Sequence, residues 1–470
     1  QVIGVAEDNR GAEIQQILVP DSLNSTLGTH WHESRRGHNA MRRLEAPAAR
    51  LAVGACETKS NHLPASRATS AGPNVYISNR IVKKIRVGVI YGGRSGEHEV
   101  SVASAASIIS HLPRERYEPI AIRIEKDGRW TLPDKPPTAI SAGEVIERGR
   151  LTTTRQVRPG RTALMVTHPG EETVLTIERR NADLAPSEDG GASIVTGLGL
   201  DVVFPALHGP YGEDGTVQGL LELAGVPYVG AGVLGSAVGM DKAVMKTLFA
   251  AHKLPIVKHI MLLAHDWARD RGGALARIQQ TLRWPLFVKP ANMGSSVGIS
   301  KVWTPDELGI AIDTAAKFDR KIVIEAAVPQ AREIECAVLG NDEPEASVPG
   351  EVVPTREFYD YEAKYLDDSS QLLIPAPLTD SQASEVRRLA IAAFRAVDGA
   401  GMARVDFLMD RQRGTLYVNE INTIPGFTTI SMYPKLWEAT GLPCATLIDR
   451  LITLAIERRA EKQQLRTSAT

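Results

Sequence analysis

The chain has 470 residues, of which 43% are hydrophobic and 23% are charged, a composition typical of a globular protein with roughly two to four domains. Its formal net charge of −1 argues against nucleic acid or a membrane surface as a partner. Three widely spaced cysteines form no metal or disulfide pattern, and no apolar run reaches the ~18 residues of a membrane-spanning helix. These features favour a cytoplasmic protein.

Residues 1–83 differ in composition from the rest of the chain. They mix Ser, Thr, Asn, Gly and Arg with little sustained hydrophobic periodicity. This pattern predicts a disordered extension outside the folded protein. The alternative is an organellar transit peptide, which agrees with the many Arg and Ser residues but not with Glu13, Glu33 and Glu45.

From residue 84 to residue 232, predicted strands and helices alternate. The strand in VKKIRVGVIYGG leads to a helix in HEVSVASAASIISHL, and further strands follow in YEPIAIRIEKDGRW and LDVVFPALHG. This order predicts a small doubly wound α/β domain with a parallel sheet. The segment 131–200 is an elaboration without assigned chemistry, and it contains a predicted β-hairpin around Pro169 and Gly170.

Two further α/β domains are predicted at 233–329 and 330–465. The first has a helix after Met240-Asp241-Lys242, a strand–loop–strand unit in WPLFVKPANMGSSVGISKV and a strand in KIVIEAAV. The second has the strand EIECAVLG, a polar loop at 357–370, a helix, two strands in ARVDFLMD and GTLYVNEINT, and a closing helix at 443–459. We expect the loop at 357–370 to act as a lid.

The last two of these strands bring together oxygen ligands. The segment 410–415 reads as a turn, so the strands pair as a hairpin that places Asp406 near Glu420 and Asn422. Three oxygen ligands without His or Cys select a hard cation such as Mg²⁺, which usually shares its coordination shell with water and substrate phosphates. The cluster therefore predicts a nucleotide site, and polar capping of a hairpin is the alternative.

Glycine-rich segments supply the other candidate sites. Lys289 ends a strand before the loop NMGSSVG, whose backbone N–H groups could approach phosphate, although a plain hairpin turn has the same pattern. Lys242 is a second candidate phosphate cation. In GGRSGEHEVS, Glu97 could bind an ammonium group or could simply cap the helix. His208, in LHGPYGEDGT, is a candidate ligand or a structural histidine.

Four motifs in one order, GGRSGEHEVS, LHGPYGEDGT, KPANMGSSVG and ARVDFLMD…NEINTIPGFTTISMYP, resemble the D-alanine–D-alanine ligases of the ATP-grasp superfamily. The resemblance extends from about residue 82 to residue 460. It implies a three-domain ATP-grasp architecture in which the second and third domains hold ATP. It also implies a reaction: ATP phosphorylates the carboxylate of one D-alanine, and the amine of a second D-alanine attacks the acyl phosphate. The product is a dipeptide for peptidoglycan, and the family is typically homodimeric.

The resemblance implies how ATP is bound. Two Mg²⁺ ions, with Mn²⁺ as a possible substitute, would bridge the phosphates on Asp406, Glu420 and Asn422. The lysines implied at the phosphates are Lys242, Lys289 and Lys364. Glu325 and Glu333 match the adenine-side and ribose-side carboxylates, although the segment EAAVPQARE is one residue longer than in relatives.

The resemblance also implies how D-alanine is bound. Glu97 would hold the first ammonium with His208 nearby, and Arg404 with the backbone N–H of Gly426 would form the oxyanion site. The residues expected at the second D-alanine carboxylate are Ser431 and Met432. Glu97, Ser295 and Tyr365 would form a hydrogen-bonded network.

Three rival functions remain open at this point. A depsipeptide ligase that uses D-lactate is the first, and Tyr365 argues against it. The second is a catalytically dead nucleotide-binding protein, although every expected metal ligand and lysine is present. The third is another ATP-grasp ligase of carboxylates and amines.

Overall fold

A computed structural model describes residues 83–139, 141–151, 161–179, 193–354 and 371–466. The predictions for residues 1–82 and for Lys364 and Tyr365 therefore lie outside the described residues. The described residues belong to one compact unit of the chain, Asn79–Thr470.

The first sheet has seven strands in the order β6-β5-β4-β3-β2-β1-β7. Its strands are β1 Ile85–Gly92, β2 Tyr117–Ile124, β3 Trp130–Leu132, β4 Arg161–Met165, β5 Val174–Arg179, β6 Ser193–Leu198 and β7 Val202–Ala206. The helices of this part are α1 His98–His111, α2 Ala142–Leu151 and α3 Thr216–Ala224. β1 is buried over most of its length because it is the central strand of a parallel trio.

The predicted parallel sheet holds for β2, β1 and β7 only. The pairs from β2 to β6 are all antiparallel, so the sheet as a whole is mixed. Strands β4, β5 and β6 and helix α2 lie within the segment 131–200. The hairpin predicted around Pro169 and Gly170 is confirmed, because β4 and β5 pair on either side of it.

The central sheet is antiparallel and has the order β10-β9-β11-β8. Its strands are β8 His259–Leu263, β9 Leu286–Pro290, β10 Ser300–Val302 and β11 Lys321–Ala326. The helices around it are α4 Val233–Met240, α5 Lys242–Ala251, α6 Ala264–Arg269, α7 Arg271–Thr281 and α8 Pro305–Ala315. The predicted strand–loop–strand unit is confirmed as β9 and β10, which pair directly.

The third sheet has the order β15-β14-β12-β16-β17, and β13 pairs with β12. Its strands are β12 Arg332–Gly340, β13 Glu345–Ala346, β14 Gly350–Val353, β15 Gln371–Leu373, β16 Gly401–Met409 and β17 Leu416–Asn422. The helices are α9 Asp380–Ala396, α10 Met432–Ala439 and α11 Cys444–Gln464. The hairpin of β16 and β17 is confirmed, and α11 extends five residues beyond its predicted end at 459.

The first and third sheets share one hydrophobic core. Val89 and Ile108 from the first part pack in the same cluster as Leu339, Tyr433 and Leu451 from the third. The central sheet has a core of its own around β9, β11 and α8. In the described part of the chain, no single helix is long and apolar enough to cross a membrane; only α10 and α11 taken together, with a bend of 105° between them, meet that criterion.

Candidate active site

A cavity of about 270 Å³ is lined by residues of the central and third sheets and by residues at the start of α1 and in the loop after β7. Every predicted site residue in the described part of the chain lines it: Glu97, His208, Lys242, Lys289, Ser295, Glu325, Glu333, Arg404, Asp406, Glu420, Asn422, Gly426, Ser431 and Met432. A larger cavity of about 440 Å³ lies against the first sheet, and none of these residues lines it. Size therefore does not identify the site, whereas the chemistry of the lining does.

Asp241 fixes where Lys242 points into this cavity. The Asp241 side chain caps α5 by accepting hydrogen bonds from the backbone N–H groups of Ala243 and Val244, each at 3.1 Å, so the helix begins at Lys242. The Lys242 ammonium donates to the Met293 carbonyl at 2.8 Å and lies 3.6 Å from Glu420. The ammonium thus lies between the glycine-rich loop and the third sheet.

A buried carboxylate bridges two lysines in the cavity wall. One oxygen of Glu325 lies 2.8 Å from the Lys246 ammonium, and the other accepts a hydrogen bond from Lys289 at 2.7 Å. Burial alone would raise the pKa of Glu325, but the two ammonium groups hold it far below its usual range. The Lys289 ammonium lines the cavity, which suits a wall that faces phosphate.

Burial and the nearby carboxylates shift the pKa values of the two lysines in opposite directions. The pKa of Lys246 is lowered overall, because Glu325 only partly compensates for desolvation. The pKa of Lys289 is raised, since the attraction of Glu325 and Glu420 outweighs the desolvation. Lys289 therefore carries its charge at neutral pH.

Three carboxylates form a row across the third sheet. In the strand register, Glu335 lies opposite Asp406, and Asp406 lies opposite Glu420. Directly opposed residues of antiparallel strands share one face of a sheet, so all three side chains project the same way. Arg404 separates two of them: its guanidinium donates two hydrogen bonds of 2.7 Å to Asp406 and lies 2.9 Å from Glu335.

Asn422 completes the predicted oxygen cluster. Its side-chain N–H donates to Asp406 at 3.0 Å, which places it beside the aspartate as the hairpin predicts. Among the residues that the structure describes, no group of three His, Cys, Asp or Glu side chains is arranged to hold a metal ion. The donor set of two carboxylates and one amide nevertheless fits a hard cation that takes its remaining ligands from water and phosphate.

Glu97 holds the glycine-rich loop against the first sheet. It is the N-cap residue of α1, but its side chain makes no cap hydrogen bond, so capping does not account for it. Instead, its carboxylate accepts a hydrogen bond from the Ser295 hydroxyl. Ser295 adopts a φ of 47°, a left-handed conformation that costs energy in a residue other than glycine.

His208 is buried at the same end of the cavity, and both of its ring nitrogens have hydrogen-bond partners. Nδ1 lies 3.1 Å from the Ile424 carbonyl, and Nε2 lies 3.0 Å from the Ser104 hydroxyl. Burial lowers the pKa of His208 to about 4, so the ring is neutral at pH 7. Beside it, burial and the charge of Glu97 raise the pKa of Glu213 to about 8.

The turn after β17 brings Gly426 close to the Ser431 side chain. A Cβ atom at position 426 would lie 2.7 Å from the Ser431 Oγ, so a larger residue there would displace that hydroxyl. Ser431 precedes α10, and its hydroxyl accepts a hydrogen bond of 3.0 Å from the Thr428 backbone N–H. Met432 is the first residue of α10 and is buried.

Three residues of this site are absent from the sequence-based predictions. Lys246 follows Lys242 by one helical turn, and that spacing was the available signal. Glu335 lies two residues after Glu333, so it shares the same strand face. Ser104 carries no signal, because a serine in an amphipathic helix is common.

Family models described as D-ala D-ala ligase N-terminus and D-ala D-ala ligase C-terminus match residues 86–231 and 248–453. A D-alanine--D-alanine ligase of Heliobacterium modesticaldum is 48% identical over 384 residues, which are 81% of this chain and 97% of that protein. The solved D-alanine-D-alanine ligase from Coxiella burnetii matches with a TM-score of 0.66 at 37% identity, covering 82% of this chain and 97% of that one. The VanG D-Ala:D-Ser ligase from Enterococcus faecalis matches with a TM-score of 0.63 at 30% identity, covering 79% and 100%.

Proposed function

Because the chain belongs to the D-alanine–D-alanine ligase family, we propose that it joins two D-alanines to D-alanyl-D-alanine with the residues assigned below. The enzyme forms a carbon–nitrogen bond at the expense of ATP and supplies a precursor of peptidoglycan. The observation that carries the assignment is that one cavity collects the described site residues from the first, central and third parts of the chain.

Lys242 and Lys289 bind the ATP phosphates in this proposal. Both ammonium groups line the cavity, and the Glu325 carboxylate beside Lys289 helps to raise the pKa of that lysine, so Lys289 stays charged. Lys364 joins them from the lid, on the sequence argument alone. Glu325 and Glu333 serve the adenine and ribose side, as the family motif implies.

Asp406, Glu420 and Asn422 would hold Mg²⁺ or Mn²⁺ in this site. When bound, two such ions would neutralise charge on the phosphates of ATP. The Lys242 ammonium, 3.6 Å from Glu420, adds to that neutralisation from the opposite wall. Together these residues favour transfer of the γ-phosphoryl group to the carboxylate of the first D-alanine.

The second step takes place beside Glu97. Its carboxylate binds the ammonium of the first D-alanine, with His208 nearby, and Ser431 and Met432 meet the carboxylate of the second. The neutral amine of the second D-alanine attacks the acyl phosphate. Arg404 and the Gly426 N–H stabilise the oxyanion of the tetrahedral adduct, which then expels phosphate, and the departing phosphate takes the proton that the amine nitrogen loses.

The cellular setting of the proposed enzyme follows from its substrates. We assign it to the cytoplasm, where ATP and D-alanine are available, and we expect a homodimer without nucleic-acid or membrane partners. Size-exclusion chromatography with light scattering tests for the dimer. A protein that stays monomeric at micromolar concentration would exclude it.

Phosphate release from ATP tests the activity itself. We expect release with D-alanine and little with L-alanine or with D-lactate as the second substrate, and mass spectrometry should identify D-alanyl-D-alanine. If D-lactate or D-serine is supplied together with D-alanine, a predominant D-alanyl-D-lactate or D-alanyl-D-serine product would replace D-alanyl-D-alanine as the physiological product. Absence of D-alanine-dependent release would reject the function.

A further inference from the structure

Two side chains from the first part of the chain hold both ends of the short segment that contains Gly426. At its start, the Ile424 carbonyl accepts a hydrogen bond of 3.1 Å from His208 Nδ1. At its end, the Phe427 backbone N–H donates to the Ser104 hydroxyl at 3.2 Å. Ser104 and His208 also contact each other at 3.0 Å, so the two anchors form one unit.

The direction of every hydrogen bond in this unit follows from its chemistry. A carbonyl can only accept, so His208 carries its proton on Nδ1. The ring is neutral, and Nε2 must then accept from the Ser104 hydroxyl. The Ser104 oxygen keeps lone pairs for the Phe427 N–H. Each donor thus has one acceptor, and the arrangement specifies the Nδ1–H tautomer of His208.

The anchors are themselves held rigidly. Ser104 is fully buried on α1, and Ser101 of the same helix donates a hydrogen bond to the Ala206 carbonyl of β7 at 2.5 Å. On the other side, the ring of Phe427 packs edge-on against Phe204 of β7, with 5.8 Å between centroids. The Phe427 end of the segment is therefore fixed against α1 and β7.

We propose that Ser104 and His208 are positioning residues that fix the Gly426 N–H where the oxyanion develops. This inference rests on the proposed function, because it needs Gly426 as an oxyanion donor. His208 acts through its hydrogen bonds and not as an acid or base, since both nitrogens are engaged. Because α1 begins beside Glu97, the same helix links the ammonium site of the first D-alanine to the oxyanion donor.

The kinetic test compares Ser104→Ala with Ser107→Ala. Ser107 is also buried on α1, three residues further on, and its hydrogen bonds among the described residues are to Ser110 and His111 rather than to the segment 424–427. Ser104→Ala should lower kcat about tenfold, leave the KM for ATP within about twofold, and weaken a phosphinate analogue of the tetrahedral adduct more than it weakens ADP. Ser107→Ala should match the wild type in all three.

A double variant tests whether the two residues act together. If Ser104 and His208 work through each other, Ser104→Ala combined with His208→Ala should cost no more in kcat than His208→Ala alone. Fully additive losses, or a Ser104→Ala enzyme with wild-type kcat and phosphinate affinity, would overturn the proposal.

A spectroscopic measurement separates this inference from the proposed function. Histidine ¹⁵N spectra of the full chain, with the His208 signal assigned by its absence in His208→Ala, should show a neutral Nδ1–H tautomer. Ser104→Ala should shift the Nε2 resonance, and Ser107→Ala should not. A wild-type Nε2–H tautomer would reject the positioning unit even in an active ligase. An inactive wild type would reject the proposed function. The tautomer of His208 would then still show whether the hydrogen bonds of Ser104 and His208 are arranged as proposed.

Discussion

The Lys246 ammonium lies 2.8 Å from the Glu325 carboxylate, and both side chains are withdrawn from solvent. Lys246 donates a hydrogen bond of 3.1 Å to the Asn419 carbonyl on β17. This contact ties α5 and β11 to the strand that carries Glu420. Lys246 therefore supports both the phosphate side and the carboxylate side of the cavity without lining it.

The first prediction concerns asymmetry within this cluster. Glu325→Gln leaves two buried ammonium groups without a carboxylate between them, and we expect it to destabilise the protein by about 3–5 kcal/mol. Lys246→Met leaves Glu325 paired with Lys289, so its cost should be smaller, about 1–3 kcal/mol. Urea unfolding of the two variants at pH 7 measures the difference. The cluster is misassigned if Lys246→Met proves the more damaging change.

The second prediction concerns the metal ligands. Glu420→Gln should keep the fold and lower turnover more than about tenfold at limiting Mg²⁺, because a charged ligand becomes neutral. Asp406→Asn should behave alike. The measurement is turnover across a Mg²⁺ titration, with Glu343→Gln, an exposed carboxylate on a loop, as control. Turnover of Glu420→Gln near that of the wild type would remove Glu420 from the metal site.

The third prediction is a pH dependence of stability. Burial raises the pKa of Glu213 from 4.5 to about 8, so the folded state holds a proton that the unfolded state releases, and stability falls as pH rises through this range. Burial lowers the pKa of His208 from 6.5 to about 4, so its contribution rises with pH and is complete by about pH 6.5. The two trends oppose each other below pH 6.5, and of these two groups only Glu213 changes the stability above pH 6.5.

Thermal unfolding between pH 6.5 and 8 tests this sign. The wild type should lose stability at a rate approaching about 1.4 kcal/mol per pH unit, and Glu213→Gln should abolish that slope. Glu115→Gln, an exposed carboxylate, should keep it. A wild type whose stability rises from pH 6.5 to 8 would contradict the buried protonated state of Glu213.

The fourth prediction concerns the extension. Deletion of residues 1–81 should leave turnover and Tm unchanged, because the composition changes abruptly before VKKIRVGVIYGG and the matched family models begin at residue 86. Activity and thermal unfolding of the truncated and full chains measure this. A large loss in either would show that the extension belongs to the folded enzyme.

What the sequence predicts well is local. The β16–β17 hairpin needs only a turn at 410–415 and two apolar runs, so the positions of Asp406, Glu420 and Asn422 follow from spacing of two residues along a strand. The glycine loop after Lys289 is equally local.

What it misses depends on contacts between distant segments. The burial of Lys246 arises from β11 and β17, which no helical pattern reveals. Ser104 and His208 meet across 104 positions of chain, and His208 meets Ile424 across 216. The antiparallel strands from β3 to β6 were missed in part because short strands with half-exposed faces give weak alternation.

The last prediction concerns the choice of second substrate, and it rests on Tyr365 in the lid sequence EAKYLDD. Free D-alanine is mostly an ammonium at pH 7, whereas D-lactate carries a hydroxyl and needs no deprotonation. A tyrosine hydroxyl that bonds Ser295 would extend the Ser295–Glu97 contact to the lid and hold it closed over the amine. Loss of one such bond costs about 0.5–1.5 kcal/mol, or up to roughly tenfold in selectivity.

Tyr365→Phe should therefore make more D-alanyl-D-lactate relative to dipeptide than the wild type does. Product ratios from mixed D-alanine and D-lactate, measured from about pH 6 to 9, test this. Tyr417→Phe on β17 serves as a control, because it removes a hydroxyl from a strand position outside the cavity lining. An unchanged ratio in Tyr365→Phe would leave Tyr365 as a packing residue of the lid. A wild type that makes mainly depsipeptide would instead overturn the assignment of D-alanine as the second substrate, because the amine would then have no advantage over the hydroxyl in this site.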